Sequence, residues 1–170
     1  MSVNVIFARG KNGEFAMSDG SLPWRQGGVV SDDAKEDMRR FREMTIGNTV
    51  VMGFNTFTTM NRFLPERENI VVGRGKSTLF DALKDSCRKE IFVIGGAKLL
   101  HETFASGLVD GKIFETVFDC GFNGASVFYK DEIDTDEFEL ESEEKHGICI
   151  FRVFRRKNKN ILEKVQKGLE

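Results

Sequence analysis

Short, nearly continuous apolar runs alternate along this chain with amphipathic stretches of helical period, and that alternation most constrains its fold. The runs are Val3–Ala8, Thr49–Gly53, Asn69–Gly73, Glu90–Gly95, Ile113–Phe118 and Ile148–Phe154, bounded by glycine or charge. Runs that are apolar at almost every position suit strands covered on both faces, because neither side of the pleat meets water. Helical patterns occupy about Asp33–Thr45, Leu79–Cys87 and Ala97–Ser106. This order predicts an α/β fold: a mainly parallel twisted sheet of about eight strands, with right-handed crossovers and flanking helices. The last two runs have no helical stretch between them, so an antiparallel C-terminal edge hairpin is expected.

A chain of 170 residues fits one domain. The pattern places it at 1–156 and leaves 157–170 as a charged tail. Ile161, Leu162, Val165 and Leu169 give the tail a weak helical period, suited to a surface helix or a partner contact. The net charge is -2, with both signs interspersed. Such a surface has no field to hold nucleic acid or an acidic membrane, and neither partner is expected. Cys87, Cys120 and Cys149 are widely spaced, and there are only two histidines, His101 and His146. No metal site or disulfide framework is expected, and three buried free thiols suit a reducing compartment. No signal-peptide pattern is present, and no apolar run reaches about 18 residues, so a cytoplasmic protein is predicted.

One carboxylate sits on the wrong face of its helix. At about 100° per residue, Ala34, Asp37, Met38, Phe41 and Met44 share a side, while Lys35, Glu36, Arg39, Arg42 and Glu43 lie opposite. Burying Asp37 is costly unless it finds a partner. It could be a cap or an ion pair with Arg40, or a group that binds a ligand's amidine-like N–H edge and takes part in proton delivery.

Two strand ends suit phosphate. Glu90–Gly95 runs into Gly96 and then a helix, so a ligand can approach the backbone and meet free N–H groups. The sequence is not GxGxxG, and a plain Gly-Gly turn fits equally well. After Thr49–Gly53, Thr56 could serve either as an ordinary helix cap or as a phosphate ligand.

Taken together, these segments resemble dihydrofolate reductase. They are Leu22-Pro23-Trp24, Asp37–Phe41 with Thr45, Val51-Met52-Gly53 with Thr56-Phe57, Leu64–Ile70, Val93–Gly96, and Thr116 with Phe128 beyond it. The similarity covers about residues 3–155 and lies in the ordered set, since each motif alone is weak.

The resemblance implies reduction of 7,8-dihydrofolate by NADPH in a monomer that also takes antifolate-type inhibitors. Asp37 would hold the pterin 2-amino group and ring nitrogen and support protonation of N5 through water, with Thr116 sharing the network and Trp24 in the catalytic set. Ile6 and Ile94 carbonyls and the side chains of Met38 and Phe41 would line the ring pocket. Met60 and Leu64 would pack on the aminobenzoyl group. Arg67 would clamp the α-carboxylate, although read singly it also suits a surface ion pair with Glu66 or Glu68. Gly53, Thr56, Gly95, Gly96, Ala97, Lys98 and Leu99 would surround the cofactor's pyrophosphate and ribose, with Ala8 and Asn55 in the same site. Ala16 would meet the nicotinamide carboxamide. Arg74, which could equally be a solvated surface residue, would read the 2′-phosphate. Met17–Trp24 would be a mobile lid, and the Gly95–Gly96 peptide would be cis.

Three departures stand out. Phe54 stands where many relatives carry a basic residue for the 2′-phosphate, and Asn55 where a second is sometimes found, which weakens the preference for NADPH over NADH and shifts weight onto Arg74. Leu100 replaces a tyrosine that usually stands beside the nicotinamide. The stretch about Arg25–Glu36 is longer than in compact relatives. A reductase of the same fold acting on another ring, such as a riboflavin-pathway pyrimidine, is one alternative. A non-catalytic nucleotide-binding module is another. Asp37 and Arg67 together favour folate, because they fit both ends of that molecule.

Overall fold

The computed structural model describes residues 2–25, 31–75, 77–86 and 90–158. Residues 26–30 of the long stretch, Cys87, and 159–170 of the tail lie outside these. Seven strands form one sheet in the order β4 (Glu68–Val72), β3 (Thr49–Gly53), β5 (Glu90–Gly95), β1 (Ser2–Gly10), β6 (Lys112–Phe118), β9 (Cys149–Arg156), β8 (Phe138–His146). The first five are mutually parallel, and β9 and β8 are antiparallel additions. The sheet expected to have about eight strands has seven, the expected C-terminal antiparallel edge hairpin is β9 with β8, and a separate antiparallel ribbon pairs β2 (Glu14–Ala16) with β7 (Val127–Phe128).

The antiparallel pairing of the last two apolar runs is found as β6 with β9, but β9 is not the edge. The edge is β8, whose sequence Phe-Glu-Leu-Glu-Ser-Glu-Glu-Lys-His carries almost no apolar signal. Two of its glutamates stand opposite arginines of β9. Glu139 faces Arg155 at 2.9 Å and Glu143 faces Arg152 at 2.8 Å. Charge on an edge strand also discourages pairing with another chain.

Side-chain alternation builds a layer on each face of the sheet. Val3, Val5 and Phe7 of β1, Val51 of β3, and Ile91 and Val93 of β5 pack under α3 (Leu79–Asp85) and α4 (Ala97–Ala105). Ile6, Val50, Met52 and Phe92 point the other way, toward α1 (Ser31–Thr45) and α2 (Phe54–Met60). Burial on both faces explains why β3 and β5 read as continuous apolar runs. α1 starts two residues before the expected Asp33, with Asp32 and Asp33 at the positive end of its dipole. α3 ends two residues early because Ser86 is extended. No helix among the described residues is long and apolar enough to cross a membrane.

Candidate active site

The strand order reverses at β1, with β5 on one side and β6 on the other. Open α/β sheets bind ligands beyond the strand ends at such a switch point. Several of the singled-out residues converge here. Ala8 pairs with Thr116 and Ile6 with Phe114 across β1 and β6. Asp37, two turns into α1, is buried against this end and accepts a hydrogen bond from the Thr116 hydroxyl. Burial pushes its pKa up to about 6, against the opposing effects of that hydrogen bond and the charge of Arg40.

An ion pair of Asp37 with Arg40 is not what holds it. Arg40 lies over the Phe151 ring, 3.9 Å from its centroid, and 3.7 Å from Glu144. Trp24 stacks on Phe118 at 4.6 Å, and its buried Nε1–H finds no partner among the described residues. A buried donor without an acceptor is costly, so this indole is suited to a ligand or a bridging water.

Cys149, not foreseen as a neighbour of the site, feels Asp37. Burial first, and then the charge of Asp37, pushes its thiol up to about 12. Cys149 is buried, whereas Cys120 is only half-buried, so the expectation of three buried thiols fails at Cys120. Asp33 fastens the first turn of α1 to the β8–β9 turn by accepting from Ile148 N–H at 3.3 Å.

Below Asp37 runs an apolar patch. Half-buried Phe41, Met44, Phe57, Met60, Leu64 and Ile94 pack on Ile6, Val50, Met52 and Phe92. Half-buried Met38 lies one residue beyond Asp37 on α1. Leu64 is held by Asn69, whose side chain accepts from its N–H and donates to its carbonyl, both at 2.8 Å. Phe63, 60% exposed, stacks on Phe57 at the rim with centroids 5.0 Å apart, a contact that no sequence period signals.

Arg67 closes the far end. It donates to Thr45 Oγ1 at 3.1 Å and to the Pro65 carbonyl at 2.9 Å. Glu66 instead meets Arg42 at 3.2 Å, and Glu68 is engaged by Thr49. Among the described residues Arg67 therefore has no carboxylate partner, and burial lowers its pKa.

The glycine turns meet on the other side. The Gly95–Gly96 peptide is cis, as the resemblance implied. A Cβ on Gly96 would lie 3.2 Å from Thr56 Oγ1, and one on Gly53 would lie 3.7 Å from Gly96 N. Gly96 caps α4 without a side-chain hydrogen bond, which leaves the N–H groups of its first turn, at Ala97, Lys98 and Leu99, for a ligand. The Leu99 side chain is buried in the core, so only its backbone can serve. Leu100 is fully buried and takes no part in the cleft.

The Ala16 carbonyl already accepts from Ser126 N–H at 3.0 Å, with a second lone pair remaining. In the Met17–Trp24 segment, Met17 N–H donates to the Ser21 carbonyl at 2.8 Å. Gly20, at φ 84°, lies against Thr59 of α2. Asn55 is exposed on α2, and Arg74 reaches over Phe54.

The dihydrofolate reductase family model matches residues 2–148. The chain belongs to the dihydrofolate reductase family. It is 30% identical to the dihydrofolate reductase of Bacillus subtilis, covering 84% of this chain and 83% of that one. It is 32% identical to the Enterococcus faecium enzyme over 84% and 85% of the two chains. Its fold resembles a dihydrofolate reductase from Enterococcus faecalis solved with NADP(H) and RAB-propyl. That likeness has a TM-score of 0.70 at 22% identity, covering 92% of this chain and 97% of that one. The glycine cradle and the uncapped α4 turn are chemically suited to the pyrophosphate of such a dinucleotide.

Proposed function

We propose that this chain reduces 7,8-dihydrofolate to 5,6,7,8-tetrahydrofolate with NADPH, in support of one-carbon and thymidylate metabolism. Asp37 carries the reading: it is a buried carboxylate beside an apolar patch, hydrogen-bonded to Thr116, at the sheet end that carries the Gly95–Gly96 turn. The catalytic unit is 1–156, a cytoplasmic monomer, with antifolates as competing small molecules.

The reaction saturates one C=N bond, with a hydride going to C6 and a proton to N5. NADPH, when bound, supplies the hydride. The ionised Asp37 carboxylate accepts two N–H bonds from the pterin's amino-pyrimidine edge, an arrangement that desolvation strengthens. Its raised pKa lets it hold a proton near neutrality, and Trp24 Nε1 and Thr116 Oγ1 fix the water that passes it to N5. Met38, Phe41 and the carbonyls of Ile6 and Ile94 orient the ring. Met60 and Leu64 exclude water from the aminobenzoyl group, and Arg67 forks onto the α-carboxylate. Gly53, Thr56, Gly95, Gly96 and the backbone of Ala97, Lys98 and Leu99 seat the pyrophosphate. Ala8 and Ala16 meet the nicotinamide end, and Asn55 and Arg74 the adenosine end. The Met17–Trp24 segment closes over the reacting atoms.

The test is the loss of NADPH absorbance on adding dihydrofolate. The reading predicts steady turnover abolished by an antifolate. NADPH that binds but is never oxidised in the presence of dihydrofolate would refute it.

A further inference from the structure

Phe54 and Arg74 follow directly on two paired strand ends. Gly53 of β3 stands opposite Val72 of β4, so the first residue of α2 and the turn after β4 emerge side by side. That turn is Gly73-Arg74-Gly75, with φ values of 90°, 47° and 73°. Gly73 N–H bonds to the Ser77 carbonyl at 3.0 Å and closes it. Arg74 holds a left-handed backbone rarely adopted by a long side chain, and the turn throws that side chain back toward α2. Its guanidinium carbon rests 5.3 Å from the centroid of half-buried Phe54. No carboxylate pairs with Arg74 among the described residues.

We infer that Phe54 is a positioning residue that holds the Arg74 guanidinium as a preorganised fork for a phosphate monoester on the ribose of the dinucleotide. An exposed arginine carries large rotamer entropy, which a ligand must overcome unless the protein has already restrained it. Contact with the ring restrains the guanidinium, and no hydrogen bond among the described residues takes up its N–H donors, which match a phosphate's oxygens. The placement agrees. From β5, where the pyrophosphate would sit on Gly95–Gly96, the sheet order runs to β3 and then β4, about 10 Å away at normal strand spacing. The adenosine half of a dinucleotide would extend along that line. Selectivity for the phosphorylated cofactor thus comes from an aromatic ring and one arginine acting together.

The inference rests on a dinucleotide occupying this site, and direct binding separates it from the question of turnover. NADPH and NADH are titrated against the quenching of Trp24, the single tryptophan, in wild type, Phe54→Leu, Phe54→Tyr, Arg74→Leu and the double variant. Phe54→Leu should lower the NADPH-to-NADH affinity ratio about fivefold, the size of an exposed cation–π contact, and Phe54→Tyr should restore it. Arg74→Leu should lower the ratio further, and adding Phe54→Leu should then change nothing. Equal loss of both cofactors in Phe54→Leu, an unchanged ratio, or additive losses in the double variant would each overturn the positioning role. A wild-type chain that shows the Phe54-dependent preference but does not reduce dihydrofolate would sink the proposed activity and leave this inference standing.

Discussion

Asp37 is the residue whose chemistry differs most from its ordinary behaviour. Its folded pKa of about 6 lies above the usual 3.8. A carboxyl raised in this way favours folding in its protonated form. The stabilising effect is complete below about pH 4 and is lost as pH rises through 6. At pH 8 the buried charge therefore works against the fold by up to about 3 kcal/mol. Asp37→Asn should melt several degrees higher than wild type at pH 8 and nearly equally at pH 4, by calorimetry, while losing most of its turnover. A destabilised Asn variant at pH 8 would mean that the carboxylate is already well solvated or paired. Trp24→Phe keeps the stacking on Phe118 but removes the orphan donor. It should lower kcat for dihydrofolate roughly tenfold, the scale of one lost polar contact, with little change in melting temperature. An unchanged kcat would remove Trp24 from the proton path. The importance of Asp37 is legible in sequence because a charge in an apolar stripe has no cheap explanation. The unpaired indole N–H and the Cys149 thiol beside the carboxylate are not legible, since both depend on contacts between distant segments.

The elements differ in how clearly the chain announces them. β3 and β5 are covered on both faces and read directly as apolar runs with correct ends. β8 is hidden because it is an edge whose stabilising contacts are charges supplied by β9. β2 and β7, with three and two residues, are too short to show a period. The glycine turn after β5 is visible as Gly-Gly, but the approach of Thr56 to it from α2 is not. Gly96→Ala would press a methyl group to 3.2 Å from that hydroxyl and into the ligand's path. It should weaken NADPH binding by about tenfold or more, equivalent to about 1.4 kcal/mol. Titration at constant temperature reads this, and unchanged affinity would argue that no phosphate sits on the turn.

At the scale of the whole molecule, a buried ion cluster fastens the parallel half of the sheet to its antiparallel end. Glu115 of β6, 2% exposed, meets Arg9 of β1 at 2.5 Å and Arg152 of β9 at 3.5 Å. Arg9 also donates to the carbonyls of Tyr129 and Asp131. Glu115→Gln would leave a largely buried guanidinium without its counter-charge and should destabilise the fold by about 3 kcal/mol. That corresponds to a drop in melting temperature of about 6–12 °C for a chain of this size. A change of under about 1 kcal/mol would show that water already screens the cluster. The alternation of runs foretells the α/β class, but the strand order that makes β1 the switch point, and so places the site, is seen only in the structure. The meeting of α1, β6 and β9 around Asp37 does not follow from any local pattern.

The central claim is that this buried carboxyl manages the proton in the reduction of dihydrofolate. Its most direct test is the pH dependence of the pre-steady-state hydride-transfer rate between pH 5 and 9, in wild type and in Asp37→Asn. Wild type should hold a plateau below about pH 6 and fall about tenfold per unit above it, and the Asn variant should be slow throughout with that break absent. A wild-type rate independent of pH, or the same break surviving in Asp37→Asn, would contradict it.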